Sequence, residues 1–125
     1  MSERVIICGS RSFTGSQAGF LIGLAIDALP GDTTVIVGGA RGVDTIAEHC
    51  ARDQGLIVER HEADWQQHGK AAGPIRNQRM LNSGADRVIA FWDGASRGTR
   101  HMIKISKAAG IPVNVIATGT GDPDQ

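Results

Sequence analysis

Apolar and polar residues along this chain fall into two alternating patterns. Short apolar runs recur at Arg4-Val5-Ile6-Ile7-Cys8, Thr34-Val35-Ile36-Val37, Leu56-Ile57-Val58-Glu59-Arg60, Arg87-Val88-Ile89-Ala90-Phe91-Trp92 and Val113-Asn114-Val115-Ile116. Their length, their β-branched content and the turn residues around them predict strands, the first two buried on both faces. Between them the spacing becomes helical. Ala18, Leu21, Ile22, Ala25, Ile26 and Leu29 mark one face of a helix over Ser16–Leu29, ended by Pro30-Gly31. Val43, Ile46, Ala47, Cys50 and Ala51 mark a second, closed by Gly55. Pro74 opens a third that runs to Ser83 and stops at Gly84. The fourth spans Thr99–Ala109, with Thr99 as its N-cap and Gly110 and Pro112 behind it. Asp64 to Gly73 is polar and reads as a loop. Thr118 to Gln125 reads as a mobile tail.

Five strands alternating with four helices predict a three-layer, Rossmann-like α/β fold. A parallel sheet of about five strands carries helices on both faces, joined by right-handed crossovers. The predicted domain covers residues 1–117 and the tail residues 118–125. A chain of 125 residues is the size of one such domain. Ligands of these sheets sit beyond the carboxyl ends of the strands, where the strand order reverses. The loops after the strands are therefore where chemistry is expected.

Those loops share a composition. After the first strand, Gly9 allows a tight turn, Ser10 can bond a phosphate oxygen, and Arg11 can grip it with two donors. After the second comes Gly38-Gly39-Ala40-Arg41-Gly42-Val43-Asp44. Three glycines in five positions let amide groups converge at a helix N-terminus, which favours anions. Asp44 is placed to cap that helix or to bind a sugar hydroxyl. The loop is neither a Walker loop nor a G-x-G-x-x-G fingerprint. After the third strand, Trp65 can stack on a base, and Lys70, Arg76 and Asn77 surround another helix start. After the fourth, Trp92-Asp93 leads to Ser96, Gly98 and Thr99, a hydroxyl-and-amide cup for phosphate. Each loop alone also reads as an ordinary turn or cap. Four of them on one sheet edge point to a single pocket for a phosphate-bearing, nucleotide-type ligand.

Composition narrows the partners. Glycine is frequent, 17 of 125, and aromatic residues make up 4%, which suits close turns better than a broad stacking face. The formal net charge is zero, which argues against a life on nucleic-acid phosphates. Cys8 and Cys50 read as free thiols in a reducing cytosol. His49, His61, His68 and His101 lack metal-ligand spacing, so neither a metal nor another cofactor is expected. Cys8-Gly9-Ser10-Arg11-Ser12 is not a G-x-S-x-G hydrolase elbow. Met1-Ser2-Glu3-Arg4 leads directly into the first strand, without signal-peptide character, and Phe20–Leu29 is too short to span a bilayer. A cytoplasmic protein without a membrane partner is the expectation.

The four ordered motifs, Gly9–Thr14, Gly38–Asp44, Lys70–Asn77 and Phe91–Thr99, together resemble the YspA/YpsA-related branch of the SLOG superfamily. That branch is common in bacteria and phages. The resemblance implies a Rossmann-like fold, frequent homo-oligomers, and kinship with the Lonely Guy phosphoribohydrolases and DNA-processing protein A. The phosphoribohydrolases carry P-G-G-x-G-T-x-x-E and use its Glu with a separate Arg at the cleaved glycosidic bond. Here Gly98-Thr99 match and Arg76 stands for the arginine, but the Glu position holds Met102. Methionine neither takes a proton nor stabilises an oxocarbenium-like charge. Binding or sensing of a nucleotide is therefore favoured over hydrolysis, for which Arg76 and Asp93 are the catalytic candidates. Single-stranded nucleic-acid binding ranks last. Phe20, Leu24 and Met102 are the candidates for an apolar face between copies.

Overall fold

The computed structural model describes residues 2–119. Most of the predicted tail lies outside these residues. Five strands form one parallel sheet: β1 (Arg4–Gly9), β2 (Thr34–Val37), β3 (Ile57–Arg60), β4 (Arg87–Trp92) and β5 (Val113–Ala117). The order is β3-β2-β1-β4-β5. β1 is central, pairing Val5 with Val35 on one side and with Arg87 on the other. The chain steps outward from β1 through β2 to β3, then crosses back to β4 and β5. The reversal falls between β1 and β4, where such sheets open a crevice.

Side chains alternate across the central strand, as the period of two requires. Val5 and Ile7 pack on one face with Ala18, Ile22 and Ile26 of helix α1 (Gly15–Asp27) and Ala47 of helix α2 (Val43–Asp53). Ile6 packs on the other with Met80 and Leu81 of helix α4 (Ala72–Asn82) and Met102 of helix α5 (Arg97–Ala108). Val5, Ile6 and Ile7 are all fully buried. That double burial explains why the strand reads as an unbroken apolar run.

Three local expectations change. The stretch from Asp64 to Gly73 is not a loop. It forms the short helix α3 (Trp65–His68), a 3₁₀ turn (Gly69–Ala71) and the start of α4. The Asp64 carboxylate caps it, accepting the Gln67 amide at 3.0 Å. Pro74 lies in the first turn of α4 and not at its opening. Its missing N–H costs nothing there, because no helical partner exists for that position. Helix α5 starts at Arg97, two residues before Thr99, so Ser96 and not Thr99 is the N-cap.

A fourth correction concerns Met102. It is 1% exposed and belongs to the core beneath the sheet, so it offers nothing to a face between copies. Phe20 and Leu24 on α1 are exposed. β3 is an edge strand, and Ile57 lies open on it. Ion pairs surround that edge, with Arg4 on Glu59 and Arg60 on Glu62, which discourages pairing with another strand. Among the described residues no helix is long and apolar enough to cross a membrane.

Candidate functional site

The carboxyl ends of β1, β2 and β4 open on one hollow of about 380 Å³. Glycine is needed where two of these strands end. A Cβ on Gly9 would lie 2.5 Å from the Phe91 carbonyl oxygen and 2.7 Å from Val43 Cγ2. A Cβ on Gly38 would lie 2.5 Å from Arg76 Nη1 and 3.0 Å from Asp44 Oδ2. The strands are thus allowed to approach their neighbours closely, and the polar groups beyond them converge.

The β1 loop is tied to the β4 loop. The Ser10 amide donates to the Phe91 carbonyl at 3.1 Å, and the Asp93 amide donates to Ser10 Oγ at 3.3 Å. Ser10 is buried between them. Asp93 in turn shapes its own loop, accepting the Ala95 and Ser96 amides at 2.9 and 2.8 Å. Those two amides hold its carboxyl below the usual carboxylate range. Ser96 makes no side-chain cap on α5; its hydroxyl instead meets Thr99 Oγ1 at 3.2 Å. The first amides of α5 therefore have no side-chain cap, and Arg97, Gly98 and Thr99 line the hollow, an arrangement suited to an anion.

The β2 loop is held from both sides. Arg76 Nη1 donates to the Gly38 carbonyl and its Nε to Asn77 Oδ1. Asp44 does not cap α2. Its carboxylate turns back to accept the Ala40 amide at 3.1 Å, and Thr45 Oγ1 donates to the Ala40 carbonyl at 3.0 Å. Asn77 joins α4 to α5 by donating to the Gly98 carbonyl at 3.2 Å, with His101 Nδ1 at 3.1 Å.

Burial sets the charges here. It pushes the Asp44 carboxyl up from 3.8 to about 6, against the pull of the Ala40 amide and the Arg76 guanidinium. It also lowers Arg76 and raises the Cys8 thiol. A carboxyl raised in the folded state gives stability that is fully present below its ordinary pKa and lost as pH rises through about 6. Asp44→Asn keeps an acceptor for the Ala40 amide and removes the titration. The variant should therefore gain on the wild type between pH 4 and pH 7, by on the order of 2 kcal/mol. Thermal denaturation across that range measures the difference, and a gap that does not change with pH contradicts it.

The hollow gathers Gly9, Ser10, Arg11, Gly38, Asp44, Arg76, Asn77, Asp93, Ser96, Gly98 and Thr99 from the expected set. Gly39, Arg41 and Trp65 line an adjoining hollow of about 280 Å³. Gly42, Lys70 and Trp92 line neither. Gly42 makes the turn before α2, and Lys70 is an exposed residue of the 3₁₀ turn. Trp92 braces the β4 loop: its indole N–H donates to the Ser96 carbonyl at 3.1 Å, and the Arg100 guanidinium covers its ring. Cys8, Ser12, Ala40, Met80 and Arg97 also line the main hollow and were not anticipated. Arg97 had a visible signal, since it lies between Ser96 and Gly98. Among the described residues no cluster of His, Cys, Asp or Glu is arranged to hold a metal.

Residues 3–68 match the model of the YspA, cpYpsA-related SLOG family. The chain belongs to that family. Gene 61 protein of Mycobacterium phage D29 is 42% identical over 117 residues, covering 89% of this chain and 94% of the phage protein. The fold is also that of DNA processing protein A from Streptococcus pneumoniae, with a TM-score of 0.79 at 19% identity. That likeness covers 96% of this chain and 52% of the other, so this chain spans about half its length. In this SLOG chain Met102 does not line the hollow and is packed in the core.

Proposed function

We propose that the protein binds or senses a nucleotide or nucleotide-derived ligand, with its phosphate in the hollow beyond β1, β2 and β4. The observation that carries this reading is the convergence of donors on one space. The half-buried Arg76, the exposed Arg11 and Arg97, Ser10 and the first amides of α5 all line it. Among the described residues none of these three arginines forms an ion pair. One of the two carboxylates there, Asp93, is committed to its own turn, and the other, Asp44, is raised towards neutrality. Such a space favours an anion, and family membership directs the choice to nucleotide-type molecules.

Thermal shift against mononucleotides, dinucleotides, cyclic nucleotides and nucleoside diphosphate sugars tests this. A ligand present at a hundred times its dissociation constant should add about 2.7 kcal/mol. A folded protein that no member of the panel stabilises contradicts the reading.

Hydrolysis of an N-glycosidic bond is the second reading. One observation favours it: a carboxyl raised to about 6 beside a guanidinium, the state that suits proton transfer near neutral pH. Asp44 with Arg76 would then replace the absent Glu. Asp93 is less suited, because its amide bonds favour the charged form. Release of free base that is lost in Asp44→Asn supports hydrolysis; intact substrate at high enzyme concentration opposes it. For nucleic acid there is less support. The likeness to DNA processing protein A is one of fold, and the chain has no net positive charge.

A further inference from the structure

Zero net charge describes the sum of the charges and not where they lie. Between Trp65 and Val113 the chain carries eight of its 13 basic residues and two of its 13 acidic ones, Asp86 and Asp93. Half of those eight basic residues stand on one helix. Arg97, Arg100, Lys104 and Lys107 recur on α5 at intervals of three and four, and α5 has no acidic residue. That spacing keeps them within about 80° of one another around the axis, in single file over about 15 Å. All four are exposed, on the side away from the buried Thr99, Met102, Ile103 and Ser106. Among the described residues none of the four forms an ion pair. Their field also reaches inward: burial, and then the charge of Lys104, hold the His101 imidazole below its ordinary pKa.

A row of uncompensated cations fits a partner that carries a regular row of anions. A protein partner requires an apolar centre, from which lysine is depleted. None of the exposed large hydrophobic residues belongs to α5. A lipid surface requires a similar apolar face beneath the charges. A single nucleic-acid strand is held in a basic groove with free aromatic rings on which its bases stack. Here the face is the convex side of a helix, and the Trp92 ring beside it is covered by Arg100 at 5.7 Å. A DNA duplex needs neither groove nor ring. It carries one negative charge per about 1.7 Å of its axis, and cations that meet its phosphates release condensed counterions.

We infer that the outer face of α5 is a docking surface for a DNA duplex, held through its phosphates. Arg97, Arg100, Lys104 and Lys107 each meet a phosphate, and no base edge is read. The surface starts at the rim of the hollow, which Arg97 also lines, and runs away from it along the helix. It does not depend on which ligand the hollow takes.

Fluorescence anisotropy of a short labelled duplex, titrated with the full chain at several salt concentrations, tests this. A dissociation constant of roughly 1–100 µM is expected at physiological salt. Four contacts should make the logarithm of affinity fall with the logarithm of salt at a slope of about 3–4. Lys104→Glu and Lys107→Glu should each weaken binding at low salt at least about fivefold and lower that slope by about 1. Lys107 stands in the last turn, where a cation also favours the helix, so Lys104→Glu reads the contact alone. Arg52→Glu makes the same change of net charge on α2 and should leave the slope unchanged. A scrambled duplex should bind as tightly as the first. A duplex that does not bind the folded protein at low salt overturns the proposal. Equal weakening by Arg52→Glu also overturns it, because the effect is then one of net charge. Tighter binding of the single strand, or binding to phosphatidylserine vesicles in place of the duplex, overturns the partner.

Discussion

Arg76→Ala is expected to weaken binding of any phosphate-bearing ligand by at least about a hundredfold. A charge-assisted hydrogen bond contributes roughly 1.5–3 kcal/mol, and a guanidinium can make two to one phosphate. Arg76 is also the most buried cation on the hollow, and low dielectric strengthens its attraction for an anion. Alanine removes that charge and the donor to the Gly38 carbonyl. Without its neighbouring cation Asp44 is held still closer to neutrality, which softens the loss slightly. Arg76→Lys retains a charge but not the planar fork, so an intermediate loss is expected. Calorimetry on folded variants, checked by circular dichroism, measures both. Unchanged affinity in the alanine variant would remove Arg76 from the site.

The largest effect on stability should come from Gly42→Ala, at about 2–6 kcal/mol. Gly42 has φ 79° and ψ −123°, a region open essentially to glycine alone. That backbone costs another residue about 1–3 kcal/mol. A Cβ there would also come within 2.8 Å of Arg11 C and Cα, and nearer still to its carbonyl oxygen. Main-chain atoms cannot swing aside as a side-chain tip can, so a further 1–3 kcal/mol, roughly, is expected from overpacking. Gly55 provides the control. Its φ is also 79°, but nothing lies within 4 Å of its Cβ position. Gly55→Ala should cost only about 1–2 kcal/mol. Denaturant unfolding of the two variants compares them. Equal losses would mean that the approach of Arg11 to Gly42 contributes nothing.

Much of the fold was legible because buried parallel strands leave a plain trace. Val5-Ile6-Ile7 and Val35-Ile36-Val37 are buried on both faces and read as apolar runs. The order of the strands was less open. Nothing in Arg87–Trp92 says that it lies beside β1 and not beside β3; that follows from which helix covers which face. The short helix α3 was missed because its four residues, Trp-Gln-Gln-His, are too few to show a period. Its one clear signal was Asp64 three residues before Gln67, a capping pair.

The site was legible as loops and not as contacts. Ser10, Gly38, Arg76 and Gly98 belong to four segments far apart in sequence, and the rule that ligands gather beyond strand ends brought them together. The roles within the loops needed geometry. Asp44 has the spacing of a cap, yet it turns back to the Ala40 amide. Trp92 ends β4 and Trp65 follows β3, but one braces a loop and the other lines the adjoining hollow. Met102 carries an apolar side chain on an amphipathic helix, and only packing distinguishes the core from a free face.

The central claim is that a nucleotide-type ligand binds at this sheet edge. Amide NMR of the full chain, titrated with nucleotides and nucleoside diphosphate sugars, tests it most directly. The glycine-rich loops contribute amides at Ser10, Arg11, Gly38, Gly39, Ala40, Gly98 and Thr99. Those resonances should move together with one affinity, while amides of α1 and β3 stay in place. Resonances that never move with any of these ligands, or that move only on α1 and β3, would contradict it.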